Sequence, residues 1–242
     1  MTEHRDSRKA SSTAPALAGD APLFSRAAWA RILPFGVYIF FIVLADMLER
    51  AGLSRAELRW LYPVQVGSVA LLLALCWRRY HELRVPLPRP GQLLGAVGVG
   101  IAVFALWINL DAPWMTIGTS PGYDPRNDGE IDWLLAAIRI GGAMLVVPVM
   151  EELFWRSFVM RWADAADFEA LDPARVGIKG FVLSCLLFGV EHNLWLAGIV
   201  AGVAYAALYM RHRNLWSSVL AHAVTNGLLG IWILVTGSWV FW

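Results

Sequence analysis

The chain has 242 residues, 58% hydrophobic and only 16% charged, with 13 tryptophans. A soluble domain carries about a quarter charged residues, so that class is excluded. A net charge of +1 leaves no basic face to neutralise phosphates, which excludes nucleic acid as a partner.

Residues 1–26, MTEHRDSRKASSTAPALAGDAPLFSR, are polar, rich in small side chains and without the apolar core of a cleaved signal peptide. They are expected to form a disordered cytoplasmic tail. Residues 27–242 read as one transmembrane domain, all-α, with helices near 29–48, 60–77, 91–110, 132–162, 178–192, 195–210 and 215–240. That makes seven helices, or eight if the last run is split. Charge-free runs carry this reading: 18 residues between Arg59 and Arg78, 21 between Arg89 and Asp111, and 29 from Asn214 to Trp242. About 20 apolar residues cross a bilayer as a helix. The two cysteines, Cys76 and Cys185, lie in apolar runs and imply no disulfide framework.

Lysine and arginine orient the spans. With the N-terminus inside, the inner segments hold 14 of them and the outer segments 4, leaving aside Arg139 and Arg156 within the fourth helix. A multi-pass protein of the inner (plasma) membrane with a cytoplasmic N-terminus follows. The longest outer connection, 111–131 (DAPWMTIGTSPGYDPRNDGEI), is turn-rich and reads as a linker, with a lid as the alternative.

Ionisable groups within a span cost about 2.5–3.5 kcal/mol each and usually face a partner or a cavity. The fourth helix contains VPVMEELFWRSF, residues 147–158. Glu152 and Arg156 stand four apart and share a face, whereas Glu151 points about 100° away from Glu152. Glu152 thus has a partner in its own helix, and Glu151 must find another polar group, as a general base does. The alternative places both glutamates among headgroups at the inner end. The fifth helix carries Phe188 and His192 on one face, so the ring can wall a pocket that receives the imidazole. The last helix carries His222 and Asn226 one turn apart, either in a site or as interhelical glue.

Three spans thus contribute inward polar groups. Glu151 with His192 suits water activation, and His222 with Asn226 suits an oxyanion. Glu151, His192 and His222 also suit Zn²⁺ with an open position for water, while the soluble His-Glu-x-x-His signature is absent. Metal-dependent and metal-independent hydrolysis both stay open.

The order Glu151-Glu152-x-x-x-Arg156, then Phe188-x-x-x-His192, then His222-x-x-x-Asn226 resembles the CPBP family of intramembrane proteases, the CAAX prenyl protease type II enzymes and their bacteriocin-processing or immunity relatives. The resemblance covers about 130–242, the expected catalytic core. VPVMEELFWRSFVMRW also resembles the bacterial "CAAX prenyl protease-related" branch found with exosortase sorting systems. The resemblance implies an endopeptidase in an all-helical fold around a polar cavity open to the cytoplasm, acting on a peptide or protein substrate in the bilayer. By motif, Glu151 is the base, His192 its water-binding partner, and His222 with Asn226 the oxyanion side. Glu152, Arg156 and Phe188 support them. Glu191 is outside the motif and reads as facing the outer surface, with orienting the His192 imidazole as the alternative. Two rival classes are an ion- or proton-coupled transporter and a catalytically silent immunity or scaffold protein. A transporter more often has repeats with interrupted helices, and none is detectable.

One geometric tension accompanies this reading. Measured from the inner helix ends, His192 lies about 22 Å along its helix and Glu151 about 16 Å along its own.

Overall fold

The computed structural model describes residues 24–120 and 122–242. Seven helices organise them: α1 (Arg26–Arg50), α2 (Arg55–Arg79), α3 (Pro90–Trp107), α4 (Trp133–Trp162), α5 (Ile178–Val190), α6 (Trp195–His212) and α7 (Leu215–Thr236). This is an all-α polytopic membrane protein. Five of the helices, α1 to α4 and α7, are long and apolar enough to cross a bilayer. α5 is apolar but has only 13 residues. α7 is unbroken to Thr236, where Gly237 at φ 71° closes it, so the last run does not split into two spans. Of the expected tail, residues 1–23 lie outside the described residues. Ser25 caps α1 by accepting from the Ala28 amide, and Phe24 packs against Phe158 and Trp162.

The helix starts follow local chemistry. Asp132 accepts from the amides of Leu134 and Leu135 and opens α4. Asn214 accepts from the Trp216 amide and opens α7, and its own amide ties that end to the Pro86 carbonyl at 2.8 Å. Glycines set the closest helix approaches. A Cβ on Gly180 of α5 falls 2.2 Å from the Met160 carbonyl oxygen of α4, and one on Gly189 falls 2.3 Å from Ile199 of α6.

Two π turns, Gly142–Val146 and Leu153–Val159, flank the α-helical piece Val147–Glu152 within α4. Pro148 accounts for the first, because it has no N–H to give the carbonyl four residues back. Its effect is geometric. In a regular helix, the line through Arg139, Ala143, Val147 and Glu151 drifts by about 120°. A π turn takes up an extra residue and removes most of that drift, and all four residues line one cavity.

At the end of the bundle near Arg31, a buried polar knot joins α1, the 80–84 connection and α4. Arg31 is fully buried and donates to both oxygens of Glu82 at 2.7 Å, to Ser157 Oγ at 3.0 Å and to Glu169 at 3.2 Å. Ser157 also donates to Glu82. Burial pushes the Glu82 carboxyl up, but the Arg31 guanidinium, the Ser157 hydroxyl and a backbone amide together outweigh it and hold the group below its ordinary 4.5. Arg161 adds bonds to the Leu171 and Glu169 carbonyls at 3.0 and 2.7 Å and fastens the 163–177 connection.

At the opposite end, the 111–131 segment folds as a cover. Its tip is a two-residue hairpin between β1 (Arg126–Asn127) and β2 (Glu130–Ile131). Asp128 and Gly129, at φ 51° and 88°, supply the positive angles such a turn requires. The Ile117 amide donates to the Asn193 carbonyl at 2.8 Å, and Trp195 Nε1 donates to the Trp114 carbonyl at 3.2 Å. The Tyr123 amide donates to the Trp239 carbonyl at 3.3 Å. The segment is therefore docked on the α5–α6 turn and on the C-terminal residues, which a bare linker would not need.

Candidate active site

A cavity of about 160 Å³ lies within the bundle. Glu151 from α4, Phe188 from α5, His192 just beyond it, Tyr205 from α6, and His222 and Asn226 from α7 line its inner part. Tyr62, Trp107, Arg139, Phe241 and Trp242 line its other part. The three sequence motifs thus meet around one space.

Glu152 and Arg156 pair as their spacing requires, with Oε1 and Nη1 at 3.2 Å and both side chains fully buried. Arg156 also lies over the Phe188 ring at 4.1 Å and donates to the Gly202 carbonyl at 3.4 Å. The same Glu152 Oε1 meets His222 Nδ1 at 3.0 Å. A carboxylate only accepts, so His222 Nδ1 carries the hydrogen and Nε2 is the free end of the ring. That free end points to Glu151, whose Oε2 lies 3.9 Å away and makes no hydrogen bond to the protein. The His222 ring is stacked on Tyr205 at 4.9 Å, and the tyrosine hydroxyl donates to Thr225 at 2.8 Å.

His192 is fixed in the same way from the other side. Its Nδ1 meets the Phe188 carbonyl at 2.7 Å, so Nδ1 donates and Nε2 has a lone pair available in the neutral ring. Phe188 and Trp107 wedge the ring at 4.8 and 5.2 Å. Asn226 donates to the Ala143 carbonyl at 2.8 Å, inside the first π turn, and keeps a second N–H and its carbonyl oxygen.

The depth tension has a simple resolution. Ser184 Oγ of α5 donates to the Trp155 carbonyl of α4 at 3.1 Å, which sets those two residues level. From there Glu151 is four residues along and His192 eight, about 6 and 12 Å. Two side chains span the remaining offset. Glu191 neither orients His192 nor simply faces outward: it accepts from Trp155 Nε1 at 2.9 Å.

Among the described residues no three His, Cys, Asp or Glu side chains form a metal-ligand group. His222 Nδ1 is committed to Glu152, and His192 Nδ1 to a backbone carbonyl. Both commitments leave Nε2 free, as a metal-ligating imidazole requires, and in this arrangement Glu151, His192 and His222 are not gathered as a ligand set.

The cavity also has a direction. It runs from Glu151, Tyr205 and His222, near the middle of the bundle, to Arg139, Tyr62, Phe241 and Trp242 at the end that carries the 111–131 segment and the C-terminus. Sequence reasoning missed Tyr205, Trp107 and Tyr38 as lining residues, because an aromatic in an apolar helix carries no signal of which cavity it faces.

No curated protein and no solved structure matches the chain. Residues 133–228 match the family model of the type II CAAX prenyl endopeptidases, Rce1-like, and the matched segment contains all three motifs. In this multi-pass membrane protein, residues 133–228 are thus similar to the Rce1-like type II CAAX prenyl endopeptidases, a protease family.

Proposed function

We propose that the chain is an intramembrane endopeptidase in which Glu151 activates a water for attack on a peptide bond. The observation that carries this reading is the buried Glu151 Oε2, free of protein hydrogen bonds and 3.9 Å from the free nitrogen of His222. A separation above 3.5 Å between two polar groups admits a bridging water.

In the reaction, Glu151 accepts one water proton and His192 Nε2 accepts a hydrogen bond from the other. The water oxygen attacks the scissile carbonyl carbon, and the carbonyl π electrons move onto oxygen. His222 is held on the Glu152 carboxylate through Nδ1–H, and its protonated form carries a second hydrogen on Nε2. Its Nε2–H and the second N–H of Asn226 then donate to the oxyanion. Glu151 returns its proton to the nitrogen as the C–N bond breaks, giving a carboxylic acid and an amine. Arg156 neutralises Glu152 and keeps its charge from opposing that of Glu151. No step passes through a metal.

Substrate reaches the cavity from the end that carries the 111–131 segment. With the N-terminus cytoplasmic by the arginine count, that end is extracytoplasmic, whereas the family resemblance implies a cytoplasmic opening. Proton coupling across the membrane is less well supported. Beyond Glu151, the buried charged groups toward Arg31 are held in ion pairs or, for Arg161, by backbone carbonyls, and offer no free relay.

The test is cleavage of a synthetic peptide library by purified protein in nanodiscs, read by mass spectrometry. The wild type is expected to cut; Glu151→Ala and His192→Ala are expected to lose about 10²–10⁴-fold in rate. Equal cleavage by all three proteins would remove the site.

A further inference from the structure

Arg139 is the charged residue of the cavity that the reaction leaves unused. It stands on the same line of α4 as Glu151 and lines the same space. Its guanidinium lies over Tyr62 at 4.2 Å and over Tyr123 at 5.2 Å. Its Nε is buried and has no hydrogen-bond partner. No carboxylate lies within ion-pair distance of it among the described residues, whereas Arg31 is paired with Glu82 and Arg156 with Glu152. An uncompensated cation at membrane depth is expensive, and it persists where it meets a partner or a substrate. Two tyrosine faces hold its charge in place without neutralising it.

We propose that Arg139 is a binding subsite for a carboxylate of the peptide substrate. The planar fork of a guanidinium matches a carboxylate with two parallel hydrogen bonds. The carboxylate comes either from the C-terminus of the peptide or from an acidic side chain. Arg139 and Glu151 are twelve residues apart, about 18 Å along the axis, the length of about five extended residues. A carboxylate on Arg139 thus sets how far from it the peptide is cut. This assignment rests on the peptidase reading for its substrate class.

The test uses binding rather than turnover. Glu151→Gln protein in nanodiscs is titrated with the peptide acetyl-Ala-Ala-Leu-Ala-Leu as the free acid, as the C-terminal amide, and as an amide with Glu in the last place. Binding is followed by the fluorescence of the cavity tryptophans. Loss of a charge-assisted bond is expected to weaken binding about ten- to a hundredfold. The free acid should therefore bind at least tenfold more tightly than the plain amide. Adding Arg139→Gln should abolish the difference, and Arg139→Lys should retain part of it. The Glu-bearing amide tells the two sources apart: tight binding assigns the subsite to acidic side chains, weak binding to the C-terminus. Equal affinity for all three peptides, no binding of any, or an unchanged preference in Arg139→Gln overturns the proposal. A peptidase that cuts without the acid preference refutes the subsite alone. An intact acid preference without cleavage by the wild type refutes the peptidase alone.

Discussion

At the scale of single residues, the site is a set of imidazoles oriented by committing one nitrogen each. His222 gives Nδ1 to Glu152 and His192 gives Nδ1 to a backbone carbonyl, so both rings present Nε2 to the cavity. Glu152 therefore serves two partners, Arg156 and His222. Removing one member of a fully buried ion pair costs about 3–5 kcal/mol, because the other is left uncompensated. Arg156→Met is expected to destabilise the protein by about that amount, visible as a lowered midpoint in thermal unfolding in detergent. Glu82 gives a second prediction. Its folded value lies below its ordinary 4.5, the case in which deprotonation favours the fold. Its contribution is complete above pH 4.5 and is lost as pH falls through the lower folded value. Glu82→Gln should flatten the acid limb of the stability profile while lowering stability at neutral pH.

At the scale of elements, the pattern of what was legible is instructive. Apolar runs located all seven helices, three of them free of charge, and the Glu152–Arg156 pair followed from a spacing of four. The spacing of motifs left the partners of His222 undecided. Its bond to Glu152 crosses from α7 to α4, and nothing in a local sequence encodes the register between two helices. The π turns were not read either, although Pro148 is the visible cause of the first. Gly180 and Gly98 make a matched pair for the packing argument. A Cβ at Gly180 meets the Met160 carbonyl at 2.2 Å, while one at Gly98 meets nothing within 4 Å. Gly180→Ala should therefore destabilise by separating α4 from α5. Gly98→Ala should be neutral or stabilising by up to about 1 kcal/mol, through helix propensity alone. Equal effects in thermal unfolding would show that the α4–α5 approach is looser than this.

At the scale of the whole molecule, the two ends of the bundle differ in kind. One is sealed by the Arg31–Glu82–Ser157 knot and the 163–177 connection. The other is covered by the 111–131 segment and the C-terminal tryptophans, and the cavity extends toward it. On the arginine count, we propose that the covered end faces outside. A cysteine at Gly118, in a background without Cys76 and Cys185, should then react with a membrane-impermeant thiol reagent in intact cells. One at Arg84 should react only after lysis. The reverse pattern would invert the topology and return the cavity to the cytoplasmic face.

The account depends on α4 and α7 bringing residues 151 and 222 to one cavity. Glu151→Cys with His222→Cys, in the cysteine-free background with a protease site placed in the 163–177 connection, tests this directly in native membranes. A short thiol cross-linker should join the two halves after proteolysis, whereas a control pair at the outward-facing Leu145 and Ile231 should stay separate. Absence of a link at 151 and 222, or a link no more frequent than at the control pair, would contradict the structure on which the site is built.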